Sequence, residues 1–140
     1  MPNPFAHVEL NTKDLKAAKK FYLSVFDWKL RDVPSYTMID VGKGVGGGMA
    51  KAQKGAPTAW LPYVEVADVK KTIAAAKKAG AQITLPYMSL GDMGSIGVFI
   101  DPTGAALGIW AQPTKAAAPK AAKAKAKAKK PAKKAAKKKK

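Results

Sequence analysis

The sequence predicts an α+β domain of two tandem βαβββ modules, forming a curved sheet around a shared cavity and followed by a disordered C-terminal tail. Three observations predict it. Residues 7–15, His-Val-Glu-Leu-Asn-Thr-Lys-Asp-Leu, are echoed 54 positions later at 61–69 by Leu-Pro-Tyr-Val-Glu-Val-Ala-Asp-Val. Each copy runs from an alternating strand pattern into an Asp-started helix pattern and then into three short strand candidates. Beyond Thr114 the composition collapses to Ala, Lys and Pro alone.

The elements follow in order. Alternation puts Val8 and Leu10 on one face of the first strand and His7, Glu9 and Asn11 on the other. Leu15, Ala18, Tyr22, Val25 and Phe26 then recur at three- and four-residue spacing, with Lys16, Lys19 and Lys20 outside, the stripe of an amphipathic helix. Strand candidates follow at 28–33, 36–41 and 45–50, broken by Pro34-Ser35 and by the glycines from Gly42. In the second module Val64 and Val66 face the helix side, while Leu61, Tyr63 and Glu65 face away. Val69, Ile73 and Ala76 form the next stripe, and Gly80 ends that helix as a left-handed cap. Strands are expected at 82–90, 95–100 and 106–111. Asp14 and Asp68 stand at the two helix starts, where a carboxylate accepts from free N–H groups.

Of the 140 residues, 1–113 are read as the folded domain, with module one at 5–52 and module two at 59–112, and 114–140 as tail. Ala, Lys and Pro cannot bury enough surface to offset an ordering cost of roughly 1–2 kcal/mol per residue. The net charge of +17 falls to about +4 once the thirteen tail lysines are set aside, so the basic character belongs to the tail. No Cys is present, which excludes disulfides, thiolate nucleophiles and cysteine metal sites. The N-terminus carries no basic-then-apolar leader, and no apolar run reaches the length of a membrane span. A soluble, cytoplasmic protein is expected, with the tail able to associate with a nucleoid. Gly42-Lys43-Gly44-Val45-Gly46-Gly47 satisfies G-x-G-x-x-G formally, but no helix pattern follows to receive a pyrophosphate.

The run from Asp14 to Trp28, with Phe21-Tyr22 inside it, resembles the signature of the vicinal-oxygen-chelate superfamily, which groups glyoxalases, bleomycin-resistance proteins and dioxygenases. Val98-Phe99-Ile100-Asp101-Pro102-Thr103-Gly104 is similar to that family's Phe-x-Asp-Pro-Asp-Gly turn. The likeness covers nearly all of residues 5–112, and Gly46-Gly47-Gly48-Met49 and Leu107-Gly108-Ile109-Trp110 resemble its metal-poor, glyoxalase-like branch. Asp27 stands where the family has Gly, and Asp tolerates the left-handed conformation better than most residues.

The resemblance implies four metal-ligand positions. Here they fall on His7, among Gly46 to Met49, on Leu61 and on Gly108. Glycine and leucine offer no side-chain donor, so the expectation is no metal and no cofactor. It also implies a small-molecule site between the modules, for which the candidate lining is His7, Glu9, Asn11, Met49, Leu61, Tyr63, Glu65, Gly108 and Trp110. His7 and Glu9 are the candidate catalytic pair: His7 as general base with Glu9 holding its tautomer, or simply as a hydrogen-bonding group, or as a half-buried polar remnant. A homodimer is a further implication of the family.

The tail resembles the Lys/Ala/Pro domains of linker histones. Its lysines, Lys115, Lys120, Lys123, Lys125, Lys127, Lys129, Lys130, Lys133, Lys134, Lys137, Lys138, Lys139 and Lys140, are the expected contacts to nucleic acid or another polyanion. No aromatic residue or Arg interleaves them, so binding without sequence preference is expected. Three functions stay open: a metal-free small-molecule binder held on nucleic acid by its tail, a lyase or isomerase using metal or His7 and Glu9, and a DNA-associated architectural protein.

Overall fold

The structure, a computed structural model, describes residues 2–114, and the lysine-rich segment lies outside the described residues. Two helices and eight strands follow in the order β1 (Phe5–Thr12), α1 (Leu15–Val25), β2 (Lys29–Val33), β3 (Tyr36–Asp40), β4 (Gly47–Lys51), β5 (Ala59–Glu65), α2 (Val69–Lys78), β6 (Gln82–Ser89), β7 (Ser95–Ile100) and β8 (Ala106–Ala111). The fold is α+β, βαβββ twice. A 3-10 turn at Gly91–Met93 separates β6 from β7.

All eight strands form one curved, unclosed mixed sheet in the order β2-β3-β4-β1-β5-β8-β7-β6. Within each module the first strand pairs parallel with the last, β1 with β4 and β5 with β8. The modules meet where β1 pairs antiparallel with β5. Both helices lie on one face, which leaves the opposite, concave face without a covering layer.

The helix starts are set as their aspartates dictate. Asp14 accepts from the Ala17 N–H at 2.9 Å and Asp68 from the Lys71 N–H at 3.0 Å, each relieving one free donor of a first turn. α2 ends in a Schellman motif: Gly80, at φ 98°, donates to the Lys77 carbonyl while Ala81 donates to that of Ala76. α1 ends differently. Phe26 turns straight into extended backbone, and Ser35 is the one non-glycine with positive φ among the described residues. Asp27 therefore does not adopt the left-handed cap that its family position suggested.

The two helices also differ in how they pack. Val69 and Ile73 of α2 are buried with Val66, Ile109 and Ala111, and Val64, Ile83 and Phe99 close the edges. Gly97 makes that approach possible, since a Cβ there would come within 3.0 Å of Ile73. In the first module Leu10, Ile39 and Met49 form the core, against which Leu15, Ala18 and Tyr22 of α1 pack, yet no residue of α1 is fully buried. Its stripe ends early: Val25 is 53% exposed and Phe26 45%, with Phe21 at 58%. The rings of Tyr22, Phe26, Trp28 and Trp60 are too bulky to fit together under one helical turn and stack at its open end, with Phe26 and Trp28 at 4.7 Å.

This asymmetry predicts unequal mutational costs. Ile73→Ala is expected to lower the unfolding free energy by about 2–5 kcal/mol, as for other buried aliphatic truncations. Phe21→Ala should change it by less than about 1 kcal/mol. Urea denaturation of the two variants checks the difference.

Candidate functional site

The middle of the concave face is built by the seam between modules. The pleat of β1 sends His7, Glu9 and Asn11 away from the helices, and the antiparallel register sets His7 opposite Tyr63 and Glu9 opposite Leu61. The parallel pairings then place Gly48 beside Glu9 and Gly108 beside Tyr63. The duplication is thereby made spatial: His7 corresponds to Leu61, Glu9 to Tyr63 and Gly48 to Gly108.

The two glycines are each covered by a tyrosine. Tyr36, the first residue of β3, folds its ring over Gly48, where an added Cβ would overlap the ring and hydroxyl. Tyr63 lies over Gly108 in the same way. The Tyr36 Oη is 2.7 Å from His7 Nε2, with the two rings stacked at 6.2 Å, and Tyr63 meets His7 edge-on at 6.1 Å. The Asn11 amide donates to Glu9 Oε1 at 3.0 Å.

Electrostatics follow from this crowding. Burial holds the His7 imidazole below its ordinary value, and the neighbouring Glu9 charge only partly opposes the shift. Burial, then the Glu9 charge and its hydrogen bonding, push the Tyr36 and Tyr63 phenols well above their usual range. At neutral pH the cluster therefore holds a neutral imidazole, two protonated phenols and an amide around one acidic side chain. It can accept and donate hydrogen bonds to a ligand, but the imidazole brings no positive charge.

The other expected site residues are distributed unevenly. His7, Glu9, Asn11, Leu61, Tyr63 and Gly108 converge on the seam. Trp110 lies further along, its indole N–H donating to the Met93 carbonyl at 2.7 Å, and Glu65 beside it is tied to the Gln112 amide at 2.8 Å. Met49 is misplaced in the expected lining. It pairs with Leu10, so it points beneath α1, where it is completely buried in the first core. The neighbouring Gly48 is the residue of that stretch on the concave face. Tyr36 was missed altogether, because its face depends on β4 crossing back to pair with β1, which no local pattern reveals.

Nor is the concave face an empty hollow. Tyr63 is buried and the polar cluster half-buried, so aromatic rings fill its centre and the space beside them is an open groove. Two further surface pockets lie elsewhere. One, of about 250 Å³, is lined by Val8, Trp28, Ile39, Val45 and Trp60 near the open end of α1, and another, of about 220 Å³, surrounds the start of α2. The Gly42–Gly47 stretch leads into strand β4 and not into a helix, which leaves the phosphate-loop pattern without its helix N-terminus.

A metal does not fit this donor set. Of the four positions, Gly48 and Gly108 have no side chain and lie under tyrosine rings, and Leu61 is apolar, which leaves His7 alone. Among the described residues no three His, Asp or Glu side chains converge. Sites for zinc and similar ions take three or more protein ligands.

The profile of the Glyoxalase/Bleomycin resistance protein/Dioxygenase superfamily matches residues 5–109. The chain belongs to this superfamily. It is 35% identical over 113 residues to CFP32 of Mycobacterium tuberculosis, whose name assigns it provisionally to the glyoxylases; the match covers 74% of this chain and 43% of CFP32. It is 26% identical over 129 residues to the anthracycline biosynthesis protein DnrV of Streptomyces peucetius, covering 78% of this chain and 47% of DnrV. The chain thus spans less than half the length of these relatives. Among solved structures it is similar to the hypothetical protein BH1468 of Bacillus halodurans, with a TM-score of 0.62 at 14% identity over 83% of this chain and 99% of the other. A superfamily member from Vibrio splendidus gives a TM-score of 0.57 at 14% identity over 80% and 100%. These two likenesses concern the fold.

Two outcomes are expected of the site. Gly48→Ala should cost about 1–3 kcal/mol by forcing the Tyr36 ring aside. In a Tyr36→Ala background the same change should be nearly neutral, a non-additivity that a double-mutant cycle in urea measures directly. Stability should also fall as pH drops below 6.5, because the unfolded chain protonates its histidine before the folded chain does. The loss stops once pH is below the lowered folded value, and His7→Gln should remove this component from a series of urea midpoints between pH 8 and pH 5.

Proposed function

We propose that the folded domain, residues 1–113, binds a small, partly aromatic organic molecule in the groove beside the His7 cluster without the help of a metal. One observation carries this reading: a half-buried polar cluster, His7, Tyr36, Glu9 and Asn11, stands at the centre of an uncovered concave face in a chain of this superfamily. Leu61, Tyr63 and Trp110 supply apolar and aromatic surface beside it, and Glu65 and Gly108 complete the lining. The name of the Streptomyces relative, which ties that protein to anthracycline biosynthesis, supports an aromatic ligand. His7 with Glu9 supports a second reading, a metal-independent lyase or isomerase, to which the name of the mycobacterial relative is congenial.

The remaining parts of the proposal rest on the sequence. Residues 114–140 form a tail whose thirteen lysines bind nucleic acid or another polyanion by releasing counterions. The protein acts in the cytoplasm, with the tail drawing it to the nucleoid, and the domain pairs as a homodimer. No helix among the described residues is long and apolar enough to cross a membrane.

A thermal-shift screen of the full chain against planar aromatic metabolites and antibiotics, run with and without EDTA, tests the groove. A ligand that raises the melting temperature equally in both conditions is expected, since binding to the native state stabilises it. Stabilisation that disappears with EDTA defeats the metal-free reading. For the tail, truncation after Thr114 should abolish binding to duplex DNA of arbitrary sequence. If about eight lysines engage phosphates, the full chain should lose affinity with a log–log salt slope of about −7.

A further inference from the structure

The hydrogen bond between His7 and Tyr36 has a direction that the surrounding groups decide. A carboxylate only accepts, so the Glu9 charge and hydrogen bonding draw the Tyr36 hydroxyl proton toward it. The Tyr36 oxygen, 2.7 Å from His7 Nε2, is then left as the acceptor of that bond. The imidazole must carry its proton on Nε2 to donate it. The other ring nitrogen, Nδ1, has no partner among the described residues, and no partnerless side-chain N or O atom there is buried, so Nδ1 is open to solvent.

We propose that Tyr36 is a positioning residue that holds His7 as the Nε2–H tautomer, so that the groove presents Nδ1 as a hydrogen-bond acceptor and selects ligands bearing a neutral O–H or N–H donor. The inference rests on the groove reading above and adds the polarity of its ligand. Gly48 is what makes it possible, because only a residue without Cβ lets the Tyr36 ring reach across the strand to the imidazole. A phenol or an alcohol meets the exposed Nδ1 with its donor, whereas a carboxylate meets a lone pair and is repelled by Glu9 nearby.

His7 is the single histidine of the chain, so its nitrogens can be read without assignment ambiguity in ¹⁵N-labelled full-length protein by ¹H–¹⁵N NMR. At pH 7.5, taken as about a unit above the ordinary histidine value, the expected spectrum has a slowly exchanging proton on Nε2 and a pyridine-type Nδ1. In Tyr36→Phe, which keeps the ring over Gly48, that proton should exchange into the solvent line while backbone amide shifts distant from the site stay in place. A proton found on Nδ1, or an Nε2 proton still protected in Tyr36→Phe, overturns the tautomer assignment. Ligand polarity is read by titrating phenol and its methyl ether: phenol alone should move the Nδ1 resonance. An equal response to both, or a response to neither, overturns the acceptor assignment. Because the tautomer is read in ligand-free protein, its failure is distinguishable from failure of the groove itself, which the EDTA-controlled screen reports.

Discussion

The antiparallel pairing of β1 with β5 is the constraint on which the rest of the structure depends. It joins two modules that each cover only one face of a four-stranded sheet, and it decides which residues share the middle of the uncovered face. Shifting the register by one residue would turn His7, Glu9 and Asn11 toward the helices and expose Val8 and Leu10. The register is held from both sides, because Leu10 belongs to the core under α1 while Val64, across the seam, packs on the core under α2. Hydrophobic burial on one face thus fixes polar geometry on the other. The site needs no separate device to assemble it.

What that face contains is a substitution of one kind of interaction for another. Side chains on β4 and β8 at the positions of Gly48 and Gly108 would meet His7 and its counterpart across the seam, as metal ligands must. Their loss leaves space that the rings of Tyr36 and Tyr63 occupy. A missing Cβ on its own would leave a void, and voids in packed interiors are costly. Here the void is filled, and the filling brings a hydroxyl to the imidazole. The duplicated positions have also diverged in character: His7 and Glu9 are polar where Leu61 and Tyr63 are apolar and aromatic. A ligand in the groove therefore meets a polar side and an apolar side, which favours one orientation over its reverse.

Much of this was legible in the sequence where the pattern is local. The strands at 95–100 and 106–111 were read to the residue, and both helix starts were fixed by Asp14 and Asp68, because alternation and capping act over a few residues. The concave assignment of His7, Glu9, Asn11, Leu61 and Tyr63 follows from the same alternation. Met49 and Tyr36 were not legible, for one shared reason. The face of β4 depends on its parallel pairing with β1, and that of β3 on its pairing with β4, both long-range contacts. The first stripe misled for a different reason. Val25 and Phe26 have the right spacing, but the core available to them is already filled by Tyr22, Trp28 and Leu30, so periodicity predicted burial that volume forbids.

The glycines deserve a different reading from the one their sequence context invites. In a strand, glycine weakens pairing and packs nothing, so its presence in β4 and β8 at corresponding positions is unfavourable taken alone. Its cost is offset only if something else uses the space, and in both modules that something is a tyrosine ring. Two different strands supply those rings, β3 for Gly48 and β5 for Gly108, so the two arrangements are not images of one ancestral contact. Duplication accounts for the glycines occupying matching places, whereas it cannot account for the tyrosines. The requirement for a filled, hydrogen-bonding centre must therefore act on the finished sheet and not on the module, and it is met wherever a ring of the right length can reach.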